Sequence, residues 1–561
     1  METLSLGSGQ WQSHHELDLS ILSIIAWCIC AFAVPLVALA IFRAYFHPLA
    51  AIPGPRLAAL SNIWQAYHVR NGRMLVLGKT LHAMYGPMVR VGPNEVWLDS
   101  ADAFRRIYGS GNGYEKSKFY LSTVLNRPSI DWGLNLHFPD TLDLLSEFDT
   151  KRYRLQRRLI RPVYQASNIK KFQTAVDGVI ERAVAQLRAL SGAEVDLKEW
   201  MHIIVVECLG AVVLTWSPGY ITAQSDGGTS SHGYLGWKRR SVFGLFPLIT
   251  TAAFFSKGLG RWFSNLWGVT FPTPKNFKPF FTPVYHKSSK RINVALRQHH
   301  ASTKSKPKPS KAKQDSQPID LLGDLIQLHK TKPEFTEKYL RRMAITNFGA
   351  GHETMCSALT SIMAMIGSHP DVQDKILDEL RRHGYFPRTP TSTNKDQQPD
   401  VGQTNIDSDT AASLSYTMAS IKEAQRLYPV IGMSLSRKVP KSGLSVNGVY
   451  IPPGTTVGCN PVSLHRNTAI FGDNASNFKP ERWLQDDREA RRAMERYNLT
   501  WGGGGRTCPG RHLAEMVVWK VVPALLREFE VVVTKIPCDE EVEYYFMAML
   551  TGVRAKFIPR T

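Results

Sequence analysis

A thiol does chemistry when its sulfur is held as an anion, and one segment of this 561-residue chain has the composition for that. Trp501-Gly-Gly-Gly-Gly-Arg-Thr-Cys-Pro-Gly510 sets four successive glycines, an arginine and a proline around Cys508. Glycines let a backbone take positive φ or lie close against another object. Arg506 stands two residues before Cys508, and a nearby cation favours thiolate over thiol. Pro509 suits the first turn of a helix, where its missing N–H is not needed. The pattern from Leu513 to Phe529 reads as that helix, whose free N–H groups stabilise a sulfur anion. Cys508 is therefore read as an electron-rich thiolate on a close-approach loop. Three chemistries use such a group: a cysteine nucleophile, zinc, and haem iron with a single thiolate ligand. Zinc calls for further Cys or His ligands, and none lies at typical spacing. A nucleophile calls for a histidine base from elsewhere in the chain. The glycine run favours a large flat object lying against the loop.

The elements that must carry this loop read as mainly helical with a small β part. Ile169 to Leu190 has apolar residues at helical spacing, and Phe335 to Arg382 gives two long helical patterns divided near His369-Pro370-Asp371. Gly443 to Val457, with Val446, Val449 and Ile451 between Gly and Pro signals, predicts a small hairpin. Ser302 to Pro318 and Pro387 to Thr410 are polar and read as mobile insertions, too poor in apolar surface to offset their ordering entropy. Ahead of these elements, residues 19–42 form an uncharged run of 24 residues. About 20 apolar residues cross a bilayer as a helix. The run is too long for a signal-peptide core, and no basic residue precedes it. The first basic residue is Arg43, followed by Arg56, so residues 1–18 are expected outside the cytosol and the rest inside. Residues 43–56, with Pro48, Pro53 and Pro55, read as a stiff hinge, and residues 57–561 as one catalytic domain.

Composition narrows the partners without choosing among them. Lys plus Arg is 68 and Asp plus Glu is 47, for a net charge of +21. That balance admits nucleic acid, an anionic membrane or an acidic protein. Hydrophobic residues at 43% exclude a wholly disordered chain, and seven scattered cysteines do not make a disulfide framework. Trp237 to Trp267 interleaves Trp237, Phe243, Phe246, Phe254, Phe255, Trp262, Phe263 and Trp267 with basic residues such as Lys257 and Arg261. This mixture suits a membrane interface or a core far better than stacked bases, so no nucleic-acid partner is expected.

The Cys508 segment resembles the haem-binding signature F-x-x-G-x-R-x-C-x-G of the cytochrome P450 family. Gly504, Arg506, Cys508 and Gly510 fill the fixed places, with Trp501 for the usual Phe. Ala350-Gly351-His352-Glu353-Thr354 resembles the family's [AG]-G-x-[DE]-T helix motif. Glu423-x-x-Arg426 with Pro480-Glu481-Arg482-Trp483 resembles its E-x-x-R and P-E-R-F/W pair. These motifs, the membrane run and Ile52-Pro-Gly-Pro55 span nearly the whole chain in the family's order. The style is most similar to fungal microsomal members.

The resemblance implies a P450-like catalytic domain behind a transmembrane anchor, with haem b as cofactor. Cys508 becomes the axial iron ligand, which pushes electron density toward O–O cleavage. Arg506 becomes a haem-propionate partner, with Trp501 and Gly504 lining the haem loop. Arg157, in Tyr153-x-x-x-Arg157, and Arg437 stand where further propionate partners are usual. Thr354 becomes the distal alcohol and Glu353 the acid of a proton relay. Ala350 and Gly351 leave room for dioxygen, and His352 faces away. Glu423, Arg426 and Arg482 become a buried structural network. The two other E-x-x-R tetrads, Glu379 with Arg382 and Glu489 with Arg492, read as solvated helix pairs.

The implied activity is a monooxygenase that inserts one oxygen atom from O2 into an apolar or amphipathic molecule, in fungal secondary metabolism. Electrons come from NADPH through the flavins of a separate cytochrome P450 reductase, which could dock at Arg154, Arg158, Arg161 and Lys520. The substrate pocket is expected around Tyr108 to Asp149 and near Trp237. The protein is placed in the endoplasmic reticulum membrane, single-pass, with its catalytic domain cytosolic. A haem-thiolate isomerase or dehydratase needing no external electrons, and a non-enzymatic haem carrier or sensor, are the alternatives.

Overall fold

The computed structural model describes residues 27, 31, 33–109, 111, 113–273, 277, 280–304, 319–387 and 406–560. The tail 1–18, most of the 19–42 run, and the greater parts of both polar insertions lie outside the described residues. Among the described residues no helix is long and apolar enough to cross a membrane. Residues 33–41 are helical and pass into a π-helical turn, Phe42–Phe46, with Val34, Leu36, Val37 and Ile41 exposed.

The fold is mainly helical with a small sheet part, as expected. The helices that position the site are, in chain order, α1 (Ala101–Tyr108), α2 (Thr150–Tyr164), α3 (Leu197–Leu214), α4 (Thr229–Gly244), α5 (Glu337–Gly367), α6 (Ser415–Leu427) and α7 (Arg511–Glu528). α5 has 31 residues, about 46 Å at 1.5 Å per residue. Thr336 caps it, accepting the Tyr339 N–H. From Met355 to Gly367 every residue is buried, as in a helix surrounded by other elements. α3 is apolar nearly all round and packs along α5. The patterns divided at Pro370 appear as α5 and the helix Pro370–Arg382, because proline ends one helix and suits the first turn of the next.

A five-stranded sheet sits beside these helices. Its strands are β1 (Met88–Gly92), β2 (Glu95–Leu98), β3 (Glu115–Lys116), β4 (Arg437–Lys438) and β5 (Thr456–Gly458), in the order β1-β2-β5-β4-β3. β3 and β4 pair antiparallel, which sets Lys116 opposite Arg437. The predicted hairpin forms from Leu444–Val446 and Val449–Ile451, turning at Asn447-Gly448, both with positive φ.

Two expectations are corrected here. Lys520 is not a surface cation: it is 1% exposed, pairs with Asp177 at 2.9 Å and donates to the Ile406 carbonyl at 2.7 Å. The end of the second insertion is therefore ordered, with Ile406 buried and Ser408–Ser413 helical. Glu379 is not a solvated partner of Arg382. It is buried and accepts the N–H groups of Tyr416 and Thr417 at 2.8 and 2.9 Å, because the start of α6 has no other partner for them.

Candidate active site

The Cys508 loop closes on itself. Cys508 N–H donates to the Trp501 carbonyl at 2.8 Å, and a 3-10 turn, Gly504–Arg506, lies between them. Gly504 has φ +59° and passes so close to the Tyr108 carbonyl that any Cβ would overlap it. Gly505 is exposed, with open space where a Cβ would stand. α7 starts at Arg511 with Gly510 as N-cap, so Pro509 precedes the helix rather than opening it; the Pro509-Gly510 pair makes a turn first. Trp501 is half-buried, 5.8 Å from the Arg511 guanidinium.

Cys508 keeps accessible surface, yet protein crowds it enough that burial pushes its thiol pKa up. The Gly510 N–H, then Arg157 and Arg511, pull the other way. Arg506, expected to be the activating cation, turns elsewhere: the 3-10 turn swings its guanidinium over the Tyr153 ring, 4.3 Å from the centroid. Arg157 clamps the loop from α2, donating to the Thr507 carbonyl and to Tyr153 Oη at 3.2 Å.

Beside this loop three cations gather. Lys116 and Arg437 are buried on adjacent strands, and Arg506 is half-buried. Like charges directly opposite on a sheet repel. Burial holds the Lys116 ammonium well below its usual pKa, and Arg506 and Arg437 add to the effect; burial and then Arg437 lower Arg506 likewise. Among the described residues their hydrogen bonds go to neutral carbonyls: Lys116 to Leu144 at 2.9 Å and to Leu145, Arg437 to Leu435 and Ser436, Arg506 to Glu147 at 2.9 Å. The Glu147 carboxylate is occupied by Arg152. Arg506 Nη2 is buried with no hydrogen-bond partner among the described residues. A buried cation cluster without a committed anion is a place built for one.

α5 is bare over one short stretch. Gly349 and Ala350 are exposed at mid-helix, where a helix packed on all sides has no reason to be. Gly351 is small for another reason than the one expected: an added Cβ would stand 3.2 Å from Leu209 of α3, so it lets the two helices approach. Thr354 Oγ1 donates back to the Ala350 carbonyl at 2.6 Å, which leaves its lone pairs free to accept. Glu353 is buried and takes the indole N–H of Trp237 from α4. Burial raises its pKa to about 7, against the opposing pull of Trp237 and Arg240. Tyr164 links this region to the loop, donating to Asn347 of α5 at 2.6 Å while lying within electrostatic reach of Cys508.

The model of the cytochrome P450 family matches residues 53–552. The chain belongs to the cytochrome P450 family. It is 82% identical over 560 residues to a cytochrome P450 monooxygenase, sdnT, of Sordaria araneosa, covering 100% of both chains. It is 27% identical to the cytochrome P450 monooxygenase hepC of Aspergillus oryzae, covering 87% of this chain and 88% of that one. A pisatin demethylase of Fusarium vanettenii is 26% identical over 90% of this chain and 89% of its own. The chain is a cytochrome P450 monooxygenase, an oxidoreductase.

Haem with a cysteine thiolate on its iron is the family's cofactor, and the residues present fit it. The Cys508 sulfur is accessible, the glycine loop leaves open space at Gly505, and two buried cations and a half-buried one stand without a committed anion. Lys116 carries no motif and was missed by sequence reasoning; it becomes visible only when β3 pairs with β4. Tyr153, given no role by sequence reasoning, donates its hydroxyl to the Gly505 carbonyl at 3.2 Å, and its ring supports Arg506. The buried network forms as read: Glu423 accepts from Arg426 at 2.7 and 2.8 Å, from Arg482 at 2.8 Å and from Trp483 at 2.9 Å.

Proposed function

We propose that this P450 is a membrane-anchored enzyme of fungal secondary metabolism. It oxidises an apolar or amphipathic small molecule with electrons from an NADPH-dependent cytochrome P450 reductase. The observation that carries the reading is the accessible Cys508 sulfur beside the uncommitted cations Lys116, Arg437 and Arg506. Haem, when bound, supplies the iron at which dioxygen is activated. Cys508 would hold that iron. Arg506, Arg437 and Lys116 would take the propionates by charge-assisted hydrogen bonds, and Arg157 and Tyr153 would keep the loop in place. Thr354 would accept a proton-bearing water through its free lone pairs. Glu353, poised near neutrality, suits a group that both gives and regains a proton at working pH. A proton relay of that kind is superfluous in an isomerase or dehydratase, which favours the monooxygenase.

The surroundings support the remaining parts. Phe119, Tyr120 and Trp237 meet Phe546 in an aromatic cluster that suits an apolar substrate. The aromatic stretch divides between both expected settings: Trp237, Phe243 and Phe263 are buried, while Phe255, Trp262 and Leu266 are exposed, with Leu248 between. We place that exposed half, and residues 19–42, against lipid of the endoplasmic reticulum, with Arg43 and Arg56 on the cytosolic side. Arg154, Arg158 and Arg161 lie exposed along α2 and offer a basic face to an acidic reductase. The matching fungal monooxygenases, one of them named for demethylating pisatin, support a secondary metabolite as substrate.

The test is a carbon monoxide difference spectrum of the reduced protein, wild type against Cys508→Ala. The thiolate-type Soret band should appear only with the cysteine. A colourless wild type, or a band indifferent to the substitution, removes the cofactor assignment. Product formed from a hydroperoxide without NADPH would move the reading to the isomerase.

A further inference from the structure

His352 lies between Gly351 and Glu353 and has no role in the scheme above. It is 3% exposed, and its Nδ1 is 3.2 Å from Nε2 of His202 on α3. His202 is fully buried, and its Nδ1 is 2.9 Å from Asp226 Oδ2. Asp226 is 1% exposed and holds the start of α4, accepting the N–H groups of Gly228 at 2.8 Å and Ser230 at 2.9 Å. Burial opposes ionisation of Asp226, but His202 and Ser230 outweigh it and hold the carboxyl well below its usual range. Nε2 of His202 and Nδ1 of His352 share one hydrogen bond, and the other ring nitrogen of His202 faces the Asp226 carboxylate. Phe280 and Phe281 pack on His352, with ring centroids 5.3 and 5.6 Å away.

α4 thus meets the adjacent residues His352 and Glu353 at two separate points. Its capped start reaches His352 through Asp226 and His202. Its middle reaches Glu353 through Trp237, and an added Cβ on Gly233 would stand 2.6 Å from Glu353 Oε1. A shift of α4 along or around its axis would disturb both. We propose that His352 is a positioning residue: the Asp226–His202–His352 chain fixes α4 against α5 and so keeps the Trp237 indole N–H on the Glu353 carboxyl. Fully apolar packing would bury the same surface without stranding polar groups. Hydrogen bonds instead supply direction, since they fail at angles that dispersion tolerates: one joins His202 to His352, two hold Asp226 to the start of α4, and a close polar contact links the two pairs.

This role rests on the reading of Glu353 as the acid of the relay, but its first test does not need turnover. The titratable and charged groups around Glu353 are Arg240 from α4, His352 and Cys356 from α5, and Lys198 and His202 from α3, with Asp226 beyond them. In resting holoenzyme, the infrared carboxylic C=O band that disappears in Glu353→Gln reports its protonation across pH. Losing the Trp237 bond removes a contact that favours the carboxylate, so the midpoint should rise. It should rise by about one pH unit in Trp237→Phe, and similarly in His352→Phe, where the ring still packs on Phe280 and Phe281. The double variant should titrate like Trp237→Phe alone, because both changes cut one line of action. His352→Gln can still hydrogen-bond to His202 and should stay close to wild type. In reductase-driven turnover, His352→Phe should release several-fold more peroxide per NADPH. If His352→Phe folds and its midpoint matches wild type, or if its shift adds to that of Trp237→Phe, the positioning role is wrong. If His352→Phe does not fold, His202→Leu, which can neither donate nor accept, takes its place, and an unmoved midpoint there is equally decisive. A shifted midpoint with unchanged coupling would leave the positioning standing and sink the relay role of Glu353.

Discussion

Burial decides what Glu353 can do. A carboxyl in water is ionised at neutral pH, but surrounded by α4 and α5 its charged form loses solvation faster than Trp237 and Arg240 restore it, and its pKa rises to about 7 from 4.5. The same shift has a cost in stability whose sign is fixed. Between those two values the folded state holds a proton that the unfolded state has lost, so stability falls as pH rises through the window. The full penalty is on the order of 3 kcal/mol above the folded pKa. Glu353→Gln has no proton to lose and escapes it. Thermal midpoints of the two proteins should be close at pH 5 and diverge by a few degrees in favour of the Gln variant by pH 8, with all other titrating groups cancelling in the difference. A constant difference across that range would mean that Glu353 ionises as easily folded as unfolded.

Elements show where chain patterning suffices and where it does not. α5, the helix after Pro370, α7 and the Leu444–Ile451 hairpin follow from periods and punctuation that are local, so they could be read residue by residue. The Cys508 loop was also legible, since its glycines, arginine and cysteine lie within ten positions. The cation cluster was not: Lys116 meets Arg437 only because β3 and β4 pair across more than 300 residues. Glu379 and Gly351 misled for a related reason, since one caps a helix and the other admits Leu209, and neither partner is near in sequence. Glu423 lies between these cases. Its tetrad was ambiguous, and the Pro-Glu-Arg-Trp segment selected it. The α6 residues Glu423 and Arg426 are fully buried, with Arg482 nearly so. Glu423→Gln would leave two guanidinium groups side by side without their anion, a loss on the order of 3–5 kcal/mol. That is a large share of a typical folding free energy of about 5–15 kcal/mol. The variant should give little soluble haem protein and a markedly lower melting midpoint. A normal yield with an unchanged midpoint would show that the network is dispensable.

At the scale of the whole molecule, α2 joins the proposed reductase-docking stripe to the Cys508 loop. Tyr153 and Arg157 point inward to Gly505 and Thr507, while Arg154, Arg158 and Arg161 lie outward at spacings of four and three, on one stripe of the same helix. An acidic flavoprotein arriving at that stripe comes within one helix diameter of the Cys508 loop. Attraction between exposed charges is screened over about 10 Å at 0.1 M salt, so docking through this stripe must weaken as salt rises. Reversing the charges tests it, with one restriction. Arg161 lies in the last turn, where a cation complements the helix dipole. A glutamate there would add a structural fault, so the variant is Arg154→Glu, Arg158→Glu and Arg161→Gln. Its carbon monoxide spectrum should match wild type, because none of the three side chains reaches the loop. Its rate of reduction by the NADPH-dependent reductase at low salt should fall on the order of ten- to a hundredfold, and the salt dependence should flatten. An unchanged rate and an unchanged salt slope would place the reductase on another face, and the link from docking stripe to cofactor loop through α2 would fail with it.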